Sequence, residues 1–285
     1  MQMRIRKSIA ACACVVLCQI AGYASEQGWD YSAYTRAMDQ SGRKVGALDE
    51  STFLAAQQRK QHVLDQIKAM LIHDFGSADP AILNAFREVP REYYMYDYEA
   101  DHNLGRAAYE LPAREWKIGY GSVLTDFVMQ AYMTAKCRPT PTDVSLEVGT
   151  GSGFQSSLLS RIVKRAYTIE IITALGEKVR NIFSPLGYDN VESRVGDGFF
   201  GWPDVPGGFD IILVTAQAPF VPPALLAQLK KGGRMVIPIG QPWKPQFLYT
   251  FTKDEHGKVH SQRDVSTLFI PMTGTIQTPP PKPIH

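Results

Sequence analysis

Three acidic side chains and a run of glycines stand where they could do chemistry. Glu147 opens the pattern Glu-x-Gly-x-Gly-x-Gly, with Gly149, Gly151 and Gly153 at alternate positions before the helical-looking stretch "FQSSLLSRIV". Glycines at that spacing let a backbone turn tightly and approach a ligand closely. Glu170 ends the run "YTIE", where a carboxylate can accept hydrogen bonds from both hydroxyls of a ribose. Asp197 lies in "GDG" beside Gly198 and can accept from an adenine amino group. Taken singly, each acid reads as a solvated strand end or a cap. Three in register along one sheet edge argue for a nucleoside site.

Two classes of cofactor compete for such a loop. A dinucleotide needs G-x-G-x-x-G/A, so that a helix N-terminus can receive the pyrophosphate. Counted from Gly149 the last position is Phe154, and from Gly151 it is Ser156. Neither is Gly or Ala. S-adenosylmethionine carries no phosphate. Its ammonium and its sulfonium suit an acidic residue at the mouth of the loop, so the spacing favours it over a dinucleotide. Glu170 fits either.

The elements that position these residues alternate in type. "DVSLEVG", "AYTIEI", "NVESRVG", "FDIILVT" and "RMVIPIG" read as strands, and "FQSSLLSRIV", "TALGEKVRNIFSPLG" and "PPALLAQLKKGG" as the helices between them. That rhythm predicts a doubly wound, mostly parallel α/β sheet, with ligands beyond the carboxyl ends of its strands. Upstream, 48–75 has helical spacing of Phe53, Leu54, Val63, Leu64, Ile67, Met70 and Leu71, ended by Gly76. Asp79 and Pro80 open a second helix. The tyrosine-rich "VPREYYMYDY" reads as packing. Downstream, two strands flank a turn at Asp254 to Gly257. The expected division is a leader at 1–24, a polar and loosely ordered lead-in at 25–47, one domain at 48–277 and a disordered tail at 278–285. Within the domain, 48–141 is the helical part, 142–240 the cofactor-binding core and 241–277 a β extension.

Composition sets the outer bounds. The chain has 285 residues, 45% hydrophobic and 20% charged, with a net charge of +2, so nothing marks a nucleic-acid binder. Arg4, Arg6 and Lys7 precede "SIAACACVVLCQIAGYA", the layout of a secretory signal peptide. Its apolar run is short for a membrane span, which needs roughly 20 residues. Export to the periplasm or cell envelope is expected, with no stable membrane span after leader removal. Cys12, Cys14 and Cys18 fall in that leader, which leaves Cys137 alone. No internal disulfide and no metal site are expected, and the chain is expected to be monomeric.

These segments resemble the protein-L-isoaspartate O-methyltransferase family. The likeness runs from about Leu64 to Gly274 and is carried by "LEVGTGSGFQ", "YTIE", "LGYDNVESRVGDGFFGWP", "FDIILVTAQAPFVPPALLAQLKKGGRMVIPIG" and "FIPMTG". It implies a Rossmann-like methyltransferase with S-adenosylmethionine as donor and isoaspartyl residues of damaged proteins or peptides as acceptor. The acceptor would be the free α-carboxylate, whose ordinary pKa of about 3.3–3.7 leaves it ionised at neutral pH. No strong base is then needed, and holding the oxygen in line with the methyl group is the task. The resemblance also implies that the methyl ester closes to a succinimide, which opens partly to normal aspartate.

One strip departs from the family. There it reads G-x-G-Q-T-I-S-x-P, and its serine hydroxyl sits at the transfer site. Here Gly119 to Phe127 reads "GYGSVLTDF". Thr125 takes the place of that serine and keeps the hydroxyl, which makes it the expected catalytic residue. Ser122 and Val123 replace the glutamine and threonine, and are expected to face the substrate. Thr125 could instead cap the helix that follows. Two other functions stay open: methylation of a different peptide or small-molecule carboxylate, and a non-catalytic envelope binding module. An exported enzyme would also require S-adenosylmethionine outside the cytoplasm, where it is made, so a cytoplasmic location stays open as the alternative.

Overall fold

The computed structural model describes residues 28–277. The expected leader at 1–24 and tail at 278–285 lie outside them. A helical layer comes first: α1 (Tyr31–Gln40), α2 (Glu50–Phe75), α3 (Pro80–Glu88) and the short α4 (Arg91–Tyr94). Two small hairpins follow, β1 (Tyr96–Asp97) with β2 (His102–Asn103), and β3 (Trp116–Gly119) with β4 (Ser122–Leu124). After α5 (Phe127–Cys137) the chain alternates through β5 (Val144–Val148), α6 (Phe154–Ser160), β6 (Arg165–Glu170), α7 (Thr173–Val179), β7 (Val191–Val195), β8 (Phe209–Val214), α8 (Pro223–Gln228) and β9 (Leu229–Gly240). It closes with β10 (Gln246–Lys253) and β11 (Val259–Thr267).

One seven-stranded sheet organises the molecule, in the order β11-β10-β9-β8-β5-β6-β7. β5 pairs in parallel with both β6 and β8, and β10 pairs antiparallel with β9 and β11. This is the expected doubly wound sheet with a β extension at one edge. Strand alternation divides the core. Ile211 and Leu213 of β8 pack with α2, α3, α5 and α6, while Ile212 and Val214 pack on the other face with Leu225 of α8. β8 is therefore apolar on both faces, as a central parallel strand must be. The winding reverses between β5 and β8, and open sheets of this kind bind ligands at that switch point.

Local chemistry fixes the helix ends. Asp49 caps α2 through the Thr52 N–H at 2.9 Å, and Gly76 ends it in the left-handed conformation. Asp79 and Pro80 open α3 as expected. Three expectations need correction. Residues 28–47 are not a loose lead-in: Asp30 caps α1, and Tyr34, Ala37 and Met38 are buried. The Trp29 indole donates to Glu92 at 2.6 Å, and the Arg43 guanidinium lies 4.4 Å from the Tyr93 ring centre, with Tyr96 and Tyr98 also beside it. Aromatic partners fifty or more residues away hold this segment, so its own composition could not announce it. The helix at "PPALLAQLKKGG" stops at Gln228, and the following residues already pair in β9. The helix expected through "TALGEKVRNIFSPLG" ends at Val179, and a single 3-10 turn covers Ser184–Leu186.

Candidate active site

A cavity of about 350 Å³ opens at the carboxyl ends of β5, β6 and β8. Val148 and Gly149 form its floor, Ile169 to Ile172 one side, and Thr215, Ala216 and Gly198 the other. Ile270 to Thr273 lines it from the C-terminal segment, Tyr120 to Val123 from the β3–β4 hairpin, and Trp243, 71% exposed, marks its open side.

The glycine loop is shaped by what lies beneath it. Gly149 has φ +101°, and a Cβ there would come within 2.5 Å of the Thr215 hydroxyl. That hydroxyl is shared between the Val148 carbonyl at 3.1 Å and the Gly149 carbonyl at 2.8 Å. Any side chain at 149 would meet both an unfavourable backbone and a fixed oxygen. Gly151 lines the cavity, and its N–H donates to Glu170 at 2.9 Å. The second Glu170 oxygen accepts from the Ile172 N–H at 3.0 Å. Glu170 is buried, and loss of water pushes its carboxyl above the ordinary range against these bonds. It is the one charged side chain among the described residues of the cavity wall.

The other expected site residues take different places. Glu147 does not reach the cavity. It is 1% exposed beneath the loop, where it accepts from Ser156 and, at 2.8 Å, from Thr168. Burial pushes its pKa to about 8. Gly153 also lies outside the wall and opens α6 against Ile182 and Phe183. Asp197 is absent from the wall, since its oxygens accept from the Phe199 N–H at 2.9 Å and the Thr275 N–H at 2.8 Å. Its neighbour Gly198 forms the surface instead, pressed on Val148 where no Cβ fits.

On the hairpin side, Ser122 and Val123 line the cavity, and Thr125 does not. Thr125 lies one residue beyond the end of β4. Its carbonyl accepts from the buried Arg91 guanidinium at 2.8 Å. It is not the helix cap either: Asp126 caps α5 by accepting from Val128 and Met129. Among the described residues, neither the Ser122 nor the Thr125 hydroxyl has a hydrogen-bond partner. No group of three or more His, Cys, Asp or Glu that could hold a metal occurs among them, and Cys137 is buried and free.

Several wall residues were not expected from the sequence. Thr215, Tyr120 and Trp243 are three. Gln217 stands behind the wall. Its backbone N–H donates to the Ile270 carbonyl, its carbonyl accepts from Met272, and its side chain donates to the Gly240 carbonyl at 2.7 Å. One residue thereby ties the closing segment to the start of the turn that carries Trp243. The distinctive "TAQAP" stretch was the available signal.

A family model described as Protein-L-isoaspartate(D-aspartate) O-methyltransferase (PCMT) matches residues 58–277. The chain belongs to this family. Among its relatives, a Syntrophobacter fumaroxidans protein-L-isoaspartate O-methyltransferase is 37% identical over 236 residues, which cover 82% of this chain and 92% of that one. One from Nitrosococcus oceani is 38% identical over 71% of this chain and 89% of its own. In fold, the chain is similar to a Plasmodium falciparum protein assigned as a PCMT, in complex with S-adenosyl-L-homocysteine. That likeness has a TM-score of 0.59 at 19% identity, over 73% of this chain and 97% of the other. The family match takes in the cavity and both small hairpins, whereas α1 and Arg43 precede it.

Proposed function

We propose that this chain transfers a methyl group from S-adenosylmethionine to the free α-carboxylate of L-isoaspartyl residues in damaged proteins or peptides. The observation that carries this reading is the cavity wall: one carboxylate, Glu170, braced on the glycine loop, in a slot otherwise neutral and largely apolar. A nucleoside finds a carboxylate for its ribose and apolar faces at Val148, Ile169, Ile171 and Met272 for its base. Together with the Glu-x-Gly-x-Gly-x-Gly spacing, which departs from G-x-G-x-x-G/A, this wall supports S-adenosylmethionine over a dinucleotide. Gly149, Gly151 and Gly198 would let it lie against backbone, with Glu170 at the ribose.

When bound, S-adenosylmethionine supplies an electrophilic methyl group next to a positive sulfonium. The residues of this chain have the simpler work of placing an anion. No cationic wall side chain competes for the acceptor carboxylate, and the neutral Ser122 hydroxyl lies where it can donate to one of its oxygens. Thr125, just past the end of β4 and outside the cavity wall, carries a second hydroxyl at the strip's end. The Arg91 contact fixes its backbone and leaves the hydroxyl free to turn. Gly153, Glu147 and Asp197 act from beneath, by setting the loop and the Gly198 surface.

We propose export as well, on the charged and apolar pattern of residues 1–24. No described helix is long and apolar enough to cross a membrane. The near-neutral net charge supports an enzyme that does not bind nucleic acid, and the chain is taken as a monomer. N-terminal mass spectrometry of the fractionated protein, with its mass in solution, checks both.

The function is tested by offering the enzyme an isoaspartyl peptide beside its aspartyl twin. Transfer to the isoaspartyl member alone, giving a base-labile methyl ester, is the expected result. Transfer to neither, with another carboxylate methylated instead, would support the alternative acceptor that the altered strip raises. S-adenosylmethionine failing to bind would point to a binding module.

A further inference from the structure

Two bulky aromatic residues stand at the mouth of the cavity in turn positions that stereochemistry reserves for glycine. Tyr120 and Gly121 are the central residues of the β3–β4 hairpin, with φ +54° and +73°. Two-residue hairpins with both φ positive prefer Asn-Gly or Gly-Gly. Here a tyrosine takes the first place, and its N–H donates to Glu99 at 2.6 Å. The β9–β10 connection repeats the anomaly. The Lys244 N–H donates to the Gln241 carbonyl at 3.2 Å, which closes a turn with Pro242 second and Trp243 third. Trp243 has φ +60°, at the position where a turn of this kind calls for Gly or Asn.

Only four non-glycine residues in the described structure have positive φ. Arg138 caps the C-terminus of α5 and Asp101 belongs to a type that tolerates this backbone. Tyr120 and Trp243 have neither excuse; Tyr120 packs in part against the core with the Lys178 ammonium 5.5 Å from its ring centre, Trp243 does not, and both line the same cavity. Trp243 is 71% exposed, so packing does not explain its strained backbone. Backbone strain of this sort persists where a site uses it.

The chemistry of the acceptor says what such a rim would touch. In an isoaspartyl residue the chain continues through the side-chain carboxyl, and the free α-carboxylate hangs directly on Cα, about 1.5 Å away. So short a branch cannot carry the carboxylate into a pocket while the chain stays clear of it. The peptide must lie across the mouth, where Tyr120 and Trp243 stand.

We propose that Tyr120 and Trp243 form an aromatic rim that grips the peptide chain flanking the acceptor carboxylate. This rests on the proposed function and adds the element that holds the substrate. Aromatic faces pack on peptide planes and apolar side chains alike. The rim therefore favours extended chain over an isolated isoaspartyl unit and is tolerant of flanking sequence.

The test compares two acceptors, an isoaspartyl hexapeptide and a single isoaspartyl residue blocked at both chain ends. Trp243→Ala and Trp243→Gly should raise KM for the hexapeptide about tenfold, the scale of one good aromatic contact. KM for the blocked residue and for S-adenosylmethionine should not move, and Trp243→Phe should recover most of the loss. With S-adenosylhomocysteine present, the hexapeptide should also shift the tryptophan emission of the parent and not that of Trp243→Phe. Thermal melting of each variant shows that the fold is intact. Equal losses on both acceptors, or none on either, would overturn the rim. A parent enzyme that methylates neither acceptor overturns the function itself, and the rim with it.

Discussion

At the sheet end of the cavity, Gly149 takes a left-handed backbone that glycine adopts freely, and Glu170 is braced by two backbone N–H groups. At the outer end, Tyr120 and Trp243 take similar backbones with full-sized rings, and Trp243 projects into solvent. The floor has no strain to relieve, whereas the rim keeps strain in place. A cofactor that is always the same can be met by a fixed surface whose polar groups are already satisfied. A peptide that differs each time is better met by exposed, adaptable aromatic area.

Breaking the floor should have the largest effect. Gly149→Val would drive a branched side chain into Thr215 and require a backbone that valine rarely adopts. S-adenosylmethionine binding should weaken at least a hundredfold by calorimetry, with a lower melting temperature. Binding close to that of the parent would show that the loop does not carry the cofactor.

The hydroxyls between floor and rim come next. A hydrogen bond to a charged group contributes about 1.5–3 kcal/mol, so removing the one that orients the acceptor should slow single-turnover transfer roughly ten- to a hundredfold. Thr125→Val and Ser122→Ala divide that effect. Asp126 caps α5, so Thr125→Val should leave stability nearly unchanged. A full loss in Ser122→Ala with none in Thr125→Val would move the orienting role to the cavity wall.

The support under the floor has its own signature in pH. Burial raises the Glu147 carboxyl from 4.5 to about 8. The folded state therefore holds this proton more tightly than the unfolded chain does. Its stabilising effect is complete below about pH 4.5 and is lost as pH rises through 8. Melting temperatures from pH 5 to 9 should fall for the parent and fall less for Glu147→Gln. Parallel curves would mean that Glu147 does not titrate in this range. The smallest effect is at the rim. Trp243→Gly relieves the left-handed backbone at the cost of a more flexible unfolded chain. A net gain of about 0.5–1 kcal/mol is expected in chemical denaturation, so a clear loss would mean that Trp243 supports the fold.

The floor was largely legible in the sequence. Glycine spacing and acids at strand ends are local signals, and Glu170, Gly149, Gly151 and Gly198 lie where they indicate. Glu147 was misplaced for a reason that strand alternation explains. It sits between Leu146 and Val148, which face one core layer, so its own side chain turns to the other and is buried under Ser156. Asp197 was misplaced because its backbone partner at Thr275 lies 78 residues away. The rim was harder to read. A proline followed by tryptophan gives no sign of positive φ, and only the folded chain brings that turn to the Tyr120 hairpin. The packing of α1 depends in the same way on distant tyrosines.

Initial rates with both substrates varied, on the parent, Glu170→Gln and Trp243→Gly, test the division of labour most directly. A crossed pattern is expected. Glu170→Gln should raise KM for S-adenosylmethionine and leave that for the isoaspartyl hexapeptide unchanged, while Trp243→Gly does the reverse. If both variants raise the same Michaelis constant, the floor and the rim are not separate sites for donor and acceptor.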